Sequence, residues 1–281
     1  MIRVRREIAL SLRRSPVVVV ITASVGRAVL RRCAESVQRQ DYANVRHLVV
    51  VDGPEYSTDA AKALADVGPG RQPEIVVLPW NTGQSVNYGY RVYGAMSLLV
   101  DDDIVCFLDE DNWLNPDHVS SAIDALRSTD ASWAYSLRRI CTEHGVPICD
   151  DDCDSLGYWP KFATLLPAEE IDRAERARHI SHPNLVDTSC YVLPREVARA
   201  MAPLLHGPDA DSVVSSFLVS EYAGACSGKS TVNYALGGGS GTPAGWFADG
   251  NGLIGELYGS APLPWRQAPH RVGPGSRQHP V

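Results

Sequence analysis

The sequence predicts an α/β fold with a mostly parallel central sheet flanked by helices. Short, fully apolar runs alternate with helix-period segments through the first 128 residues. Strands of that kind fit a sheet covered on both faces, with the helices as crossovers. Two of the runs stop at turn or acidic residues, Val51-Asp52-Gly53 and Leu108-Asp109-Glu110-Asp111. With 281 residues, 44% of them hydrophobic and 21% charged, the chain can bury a sizeable core.

Val17 to Thr22 is a β-branched run and reads as the first strand. Gly26 to Arg39 follows as a helix, with Val29, Leu30, Cys33, Ala34 and Val37 on one face and arginines and glutamine opposite. Arg46 to Val51 is the second strand, closed by the turn signal Asp52-Gly53-Pro54. A short helix over Asp59 to Val67 leads through Gly68-Pro69-Gly70 to a third strand, Glu74 to Leu78. Val92, Ala95, Met96 and Leu99 mark the next helix, before the strand Ile104 to Leu108. Pro116 opens another helix carrying Val119, Ala122, Ile123 and Leu126. Ser132 to Leu137 and Val186 to Leu193 read as strands, and Cys141 to Thr164 as loop. Ala168 to His179 reads as a charged helix, with further helices after Pro194 and over Ser212 to Tyr222. Gly237 to Val281 is rich in Gly and Pro, so a mobile flap around Gly237 to Gly241 and a tail over Ala261 to Val281 are expected.

Composition excludes several classes. Net charge is −7 without a dense basic patch, which argues against a nucleic-acid partner. No apolar run approaches the ~20 residues of a membrane span, and Met1 to Pro16 lacks the apolar stretch of a secretory signal. Seven scattered cysteines fit a reduced, cytoplasmic protein better than a disulfide framework. Cys141, His144, Cys149 and Cys153 show no paired Cys-x-x-Cys spacing for zinc. Acidic triplets recur at Asp101 to Asp103, Asp109 to Asp111 and Asp150 to Asp152, so an anionic ligand would need a cation between.

Asp109-Glu110-Asp111 directly follows a buried strand, which sets it at the carboxyl edge where open α/β sheets place ligands. Alternation puts Asp109 and Asp111 on one side and Glu110 on the other. Two hard oxygen donors suit Mg²⁺ or Mn²⁺ completed by water and phosphate. Taken alone, Asp-x-Asp is also an ordinary solvated turn.

Taken together, the succession resembles the family 2 glycosyltransferases of GT-A fold. It runs from Thr22-Ala23 through Leu30-Arg31-Arg32-Cys33-Ala34-Glu35-Ser36-Val37-Gln38-Arg39-Gln40-Asp41-Tyr42 to Val51-Asp52-Gly53, Asn81-Thr82-Gly83 and Phe107-Leu108-Asp109-Glu110-Asp111. The resemblance covers residues 16–128 well and continues loosely to 236. It implies a GT-A domain over 1–236, with a nucleotide-sugar half at 16–128 and an acceptor and catalytic half at 129–236. Residues 237–281 would form the flap and tail.

By that resemblance the chain is a metal-dependent, inverting transferase that moves a sugar from a nucleotide-diphospho-sugar to an acceptor hydroxyl. Thr22 and Ala23 would line the nucleotide pocket, Asp52 would accept from a base N–H, and Asn81 and Gly83 would let the backbone approach the nucleotide. Asp52 before Gly-Pro is equally a turn cap. Asp109 would sit near the ribose or share the Mn²⁺ or Mg²⁺ ion held by Asp111. Glu110 and Trp113 complete the donor set, Trp113 as a sugar wall or as core. The base would be Asp211 or, second, Asp209, although an Asp before a helix is a common N-cap. Asp187, His182 and Trp159 stand on the acceptor side. The donor is expected to be a UDP-sugar, with GDP and dTDP open, and the acceptor a small molecule or glycan. A homodimer is compatible with the sequence. A sugar nucleotidyltransferase is the rival enzyme, but Ala23-Ser24-Val25-Gly26-Arg27 lacks its glycine run. A non-catalytic sugar-nucleotide or glycan-binding protein is the rival of another class.

Overall fold

The computed structural model describes residues 15–84, 87–152, 185–237 and 244–274. Strands β1 (Val18–Ser24), β2 (Val45–Val51), β3 (Glu74–Val77) and β4 (Ile104–Phe107) alternate with helices α1 (Leu30–Gln38), α2 (Ser57–Ala65) and α3 (Tyr90–Leu99). The two-residue β5 (Trp113–Leu114) precedes α4 (His118–Arg127). The second half holds β6 (Trp133–Thr142), β7 (Pro147–Asp150), β8 (Tyr191–Pro194), α5 (Arg195–Met201), α6 (Ala210–Glu221), β9 (Gly224–Leu236), α7 (Ala244–Tyr258) and β10 (His270–Val272).

All these strands share one sheet, in the order β10-β9-β6-β8-β4-β1-β2-β3, with β5 beside β9 and β7 beside β6. The expected parallel sheet is present over β3-β2-β1-β4. Beyond β4 the sheet is mixed. β8 runs antiparallel to both β4 and β6, while β6 and β9 are parallel. The physical reason is connection length: α4 returns the chain for one more crossover, but β6 to β7 is a hairpin, which only antiparallel strands can make.

The apolar runs are buried as their composition requires. Val18 to Ile21 and Ile104 to Leu108 are fully buried, in one core cluster with apolar residues of α3, α4 and α5. Leu30, Ala34, Val49, Val51, Ala60 and Leu64 belong to a second, smaller cluster. Asp101 to Asp103 do not form a ligand site. Asp102 is bidentate to Arg46 at 2.7 and 2.6 Å, Asp103 accepts from the Val17 N–H at 3.0 Å, and Asp101 pairs with Arg199 at 2.9 Å. The triplet staples the entry of β4 to β1, β2 and α5.

Three parts of the chain depart from expectation. β7 lies inside the segment read as loop. β9, the longest strand, has no apolar run to announce it, because Ser227, Ser230, Thr231 and Asn233 are buried against polar partners. The expected tail is part of the domain over its described residues. β10 adds to the edge at β9, and Trp265 is buried with its indole N–H donated to Asp152 at 2.8 Å. The predicted Ala168–His179 helix and the core of the flap lie outside the described residues.

Replacing Trp265 by alanine should therefore lower unfolding stability by about 3–5 kcal/mol, the usual cost of deleting a buried aromatic. Chemical denaturation measures it, and a loss below about 1 kcal/mol would return this segment to a loosely attached tail.

Candidate active site

The chain runs β1, β2, β3 outward and then returns with β4 to the other side of β1. That reversal opens a crevice at the carboxyl ends of β1 and β4, the place where open α/β sheets bind ligands. Ser24 ends β1, and Asp109, Glu110 and Asp111 follow β4 by two to four residues.

Glu110 closes the back of the crevice. Its buried carboxylate accepts from the Ser24 hydroxyl at 2.6 Å and from Arg27 Nε at 2.6 Å. Gly26 makes the turn possible: its φ is 76°, and a Cβ there would lie 2.8 Å from the Ala60 nitrogen. Glu110 is thus an anchor between the ends of β1 and β4. The chain turns at Glu110 and Asp111, so strand alternation stops there, and the Arg27 that Glu110 holds reaches Asp111 as well.

Asp109 and Asp111 face the cleft. Asp109 Oδ1 accepts from the Tyr93 hydroxyl at 2.7 Å, and its Oδ2 lies 3.4 Å from the Ser189 hydroxyl. Burial, then the charges of Asp187 and Asp111, push its carboxyl up to about 7. Asp111 is partly exposed and accepts from Arg27 Nη2 at 3.0 Å. Its carbonyl accepts from Arg32, whose guanidinium lies 3.7 Å over the Trp113 ring. Trp113 is therefore fixed by a cation–π contact at the rim.

The cluster extends beyond this pair. Asp187 is buried, ion-paired to Arg138 at 2.6 Å, and close enough to raise the proton affinity of Asp109. The expectation set it on the acceptor side; its charge acts on the donor-side carboxylate. Asp211 lies in the first turn of α6 and accepts from the Ser212 N–H at 2.8 Å. The Tyr90 phenol joins the two sides: burial raises its pKa first, and the charges of Asp211, Asp109 and Asp187 add to that. Asp209 stands at the N-cap of α6 without a capping bond from its side chain.

The other expected pocket residues divide. Asp52 is buried and accepts from the backbone N–H groups of Thr82 at 2.7 Å and Gly83 at 2.8 Å. It orders the Asn81 loop, where Asn81 itself accepts from the Gln84 N–H. Gly83 has no room for a Cβ, which would meet the Tyr88 carbonyl oxygen at 2.5 Å. Ala23 is partly exposed beside this loop, packed against Gly89. Thr22 is corrected: its side chain is fully buried, bonded to His47 Nε2 at 2.9 Å, and does not reach the cleft. His182 and Trp159 lie outside the described residues. Sequence reasoning missed Arg27, Arg138, Tyr90, Tyr93 and Ser189; the side-chain bonds that Arg27, Arg138, Tyr93 and Ser189 make to these carboxylates span 13 to 84 positions, and no local pattern marks them.

Two partly accessible carboxylates, crowded enough that one holds a proton near neutrality, suit a divalent cation completed by water and phosphate oxygens. Among the described residues no three His, Cys, Asp or Glu side chains are grouped to hold a metal alone. Arg27 already sits on Asp111, so a cation there would compete with that guanidinium.

Residues 17–148 match the family model of glycosyl transferase family 2. The fold is shared with S. aureus TarS 1–349 at 11% identity and a TM-score of 0.51, covering 78% of this chain and 60% of that one. The same fragment in complex with UDP-GlcNAc matches at 13% identity and a TM-score of 0.53, covering 88% and 68%. Full S. aureus TarS matches at 12% identity and 0.52, covering 78% and 37%. The chain thus spans 60% of the first of these structures, and the likeness gives an α/β fold of GT-A type. No curated protein sequence matches. Among the described residues no helix is long and apolar enough to cross a membrane.

The raised carboxyl of Asp109 has a stability consequence. A carboxyl with a higher pKa folded than unfolded contributes stability that is full below about pH 4 and lost as pH rises through about 7. Asp109→Asn should therefore raise the melting temperature of the metal-free protein at pH 8, with the advantage shrinking toward pH 4. Equal effects at both pH values would refute the crowding.

Proposed function

We propose that the protein is an inverting glycosyltransferase that transfers a sugar from a nucleotide-diphospho-sugar to an acceptor hydroxyl. The observation that carries the reading is the meeting of Asp109 with Asp187 and Asp211 around Tyr90, with Asp111 acting on Asp109, at the crevice between β1 and β4. The family assignment of residues 17–148 supports the reaction class. A UDP-sugar is the favoured donor, and the complex of the structurally similar TarS fragment with UDP-GlcNAc supports that choice. GDP- and dTDP-sugars are the alternatives.

In this reading Asp52, Gly83 and Ala23 border the nucleotide, and Asp111 with Asp109 holds Mn²⁺ or Mg²⁺. Such a cation supplies neutralisation of the leaving diphosphate. Arg27, released from Asp111, remains tethered to Glu110 and near that charge. Trp113, held flat by Arg32, borders the donor sugar. Asp211 takes the proton of the attacking hydroxyl, with Asp209 as the alternative base. The acceptor is a small molecule or glycan, and the setting cytoplasmic, in keeping with the scattered cysteines.

Asp111→Ala should abolish transfer while the circular dichroism spectrum is kept. Near wild-type release of nucleoside diphosphate with Mn²⁺ or Mg²⁺ supplied would overturn the metal assignment. The same assay with UDP-, GDP- and dTDP-sugars identifies the base. Asp211→Ala should depress kcat by a factor of about 10² or more, the usual size of general-base catalysis, and leave donor KM nearly unchanged. A raised KM with normal kcat would make Asp211 a binding or structural residue.

A further inference from the structure

A buried relay of charge runs from the end of β7 to Asp109. Asp151 is fully buried and accepts from Arg138 Nε at 2.7 Å. Arg138, 4% exposed, donates from Nη1 to Asp187 Oδ2 at 2.6 Å. Asp187 Oδ1 accepts from the Ser189 backbone N–H at 2.9 Å, capping the 3-10 turn Thr188–Cys190. The Ser189 hydroxyl accepts from the Asp109 N–H at 3.3 Å and from Asn112 Nδ2 at 3.2 Å, and donates to Asp109 Oδ2 at 3.4 Å. The links come from the end of β7, from β6 and from the turn before β8, and the last reaches a carboxylate of the cleft.

Stability alone does not account for this arrangement. Buried ion pairs are often no better than apolar residues of the same volume. The guanidinium also lies 4.5 Å over the Tyr234 ring and 5.4 Å from that of Phe247 on α7. What the relay supplies is placement. Arg138 grips one oxygen of Asp187, and the other holds the Ser189 N–H of the turn.

We propose that Arg138 and Ser189 are positioning residues that fix the side chain of Asp109 toward the donor. The inference rests on the transferase reading for what Asp109 contacts, but not for the relay itself. Tyr93 holds one oxygen of Asp109 from α3, and Ser189 holds the other from the turn before β8. The carboxylate is thereby clamped from both sides of β4. The C-terminal segment enters the same relay, since Asp152, next to Asp151, accepts from Trp265 and from Arg266 at 2.7 Å and donates its N–H to Asn251.

The test is a double-mutant cycle on the full chain. Ser189→Ala and the conservative Arg138→Lys, which keeps a cation should larger changes unfold the protein, are each made alone and with Asp109→Asn. Calorimetry with UDP and Mn²⁺ should show each single variant weakening binding about tenfold, close to 1.4 kcal/mol. Neither should have further effect in the Asp109→Asn background. Undiminished effects in that background would overturn the proposal, because Ser189 and Arg138 would then act by another route. If the wild type binds no UDP with Mn²⁺, the transferase reading fails, and the relay is judged by urea denaturation of the ligand-free proteins. Midpoint shifts of Ser189→Ala and Asp109→Asn that fall short of adding support it, and shifts that add overturn it.

Discussion

Like charge gathered at one edge of a sheet is the constraint that the rest of this structure answers. Asp111 and Asp187 both act on Asp109, and Asp211 reaches the same phenol as Asp109 and Asp187. Left unopposed in a half-buried cleft, such a group would repel itself or take up protons. The fold opposes it from behind. Arg27 spans Glu110 and Asp111, and Arg138 spans Asp151 and Asp187, each guanidinium serving one carboxylate of the cleft and one outside it. Asp109 is held by hydroxyl groups, those of Tyr93 and Ser189, and its proton affinity rises to about 7.

The same principle explains the other acidic triplets. Asp101 to Asp103 and Asp150 to Asp152 look alike in sequence, yet neither is a ligand site in this structure. Consecutive aspartates at the end or start of a strand point in different directions, so each can bind a different neighbouring element. Asp150 takes Arg139, Asp151 takes Arg138, and Asp152 takes Trp265 and Arg266. Much of the acidic excess of the sequence is therefore internal mortar, and the net charge of −7 says little about the ligand.

How much of this was legible in the sequence depends on the range of the interaction. β1, β2, β3 and β4 were readable because each carries its own apolar run, and the helices between them because periodicity is local. Asp109 and Asp111 were readable because they sit next to such a run. The partners of Glu110 were not readable, since Ser24 and Arg27 lie more than 80 residues away. Thr22 was misjudged for a related reason. A strand covered on both faces has no polar side to mark which residue faces the ligand. β9 was missed altogether, because its buried Ser, Thr and Asn side chains satisfy one another's neighbours and mimic a loop in composition.

The site is also fixed by chain path alone. β1 has β2 on one side and β4 on the other, so the crossovers leaving β1 and arriving at β4 go in opposite directions and leave a crevice between their ends. A crevice of that kind keeps one width only where the two strand ends are tied to each other. The Ser24–Glu110–Arg27 contacts supply that tie on the β1 side, and Ser189 with Tyr93 supplies it around Asp109. Glu110 is therefore as necessary to the motif as its two neighbours. Bonded to Ser24 and Arg27, Glu110 ties the turn after β4 to the end of β1, and Asp109 and Asp111 on either side of it are carried by that tie.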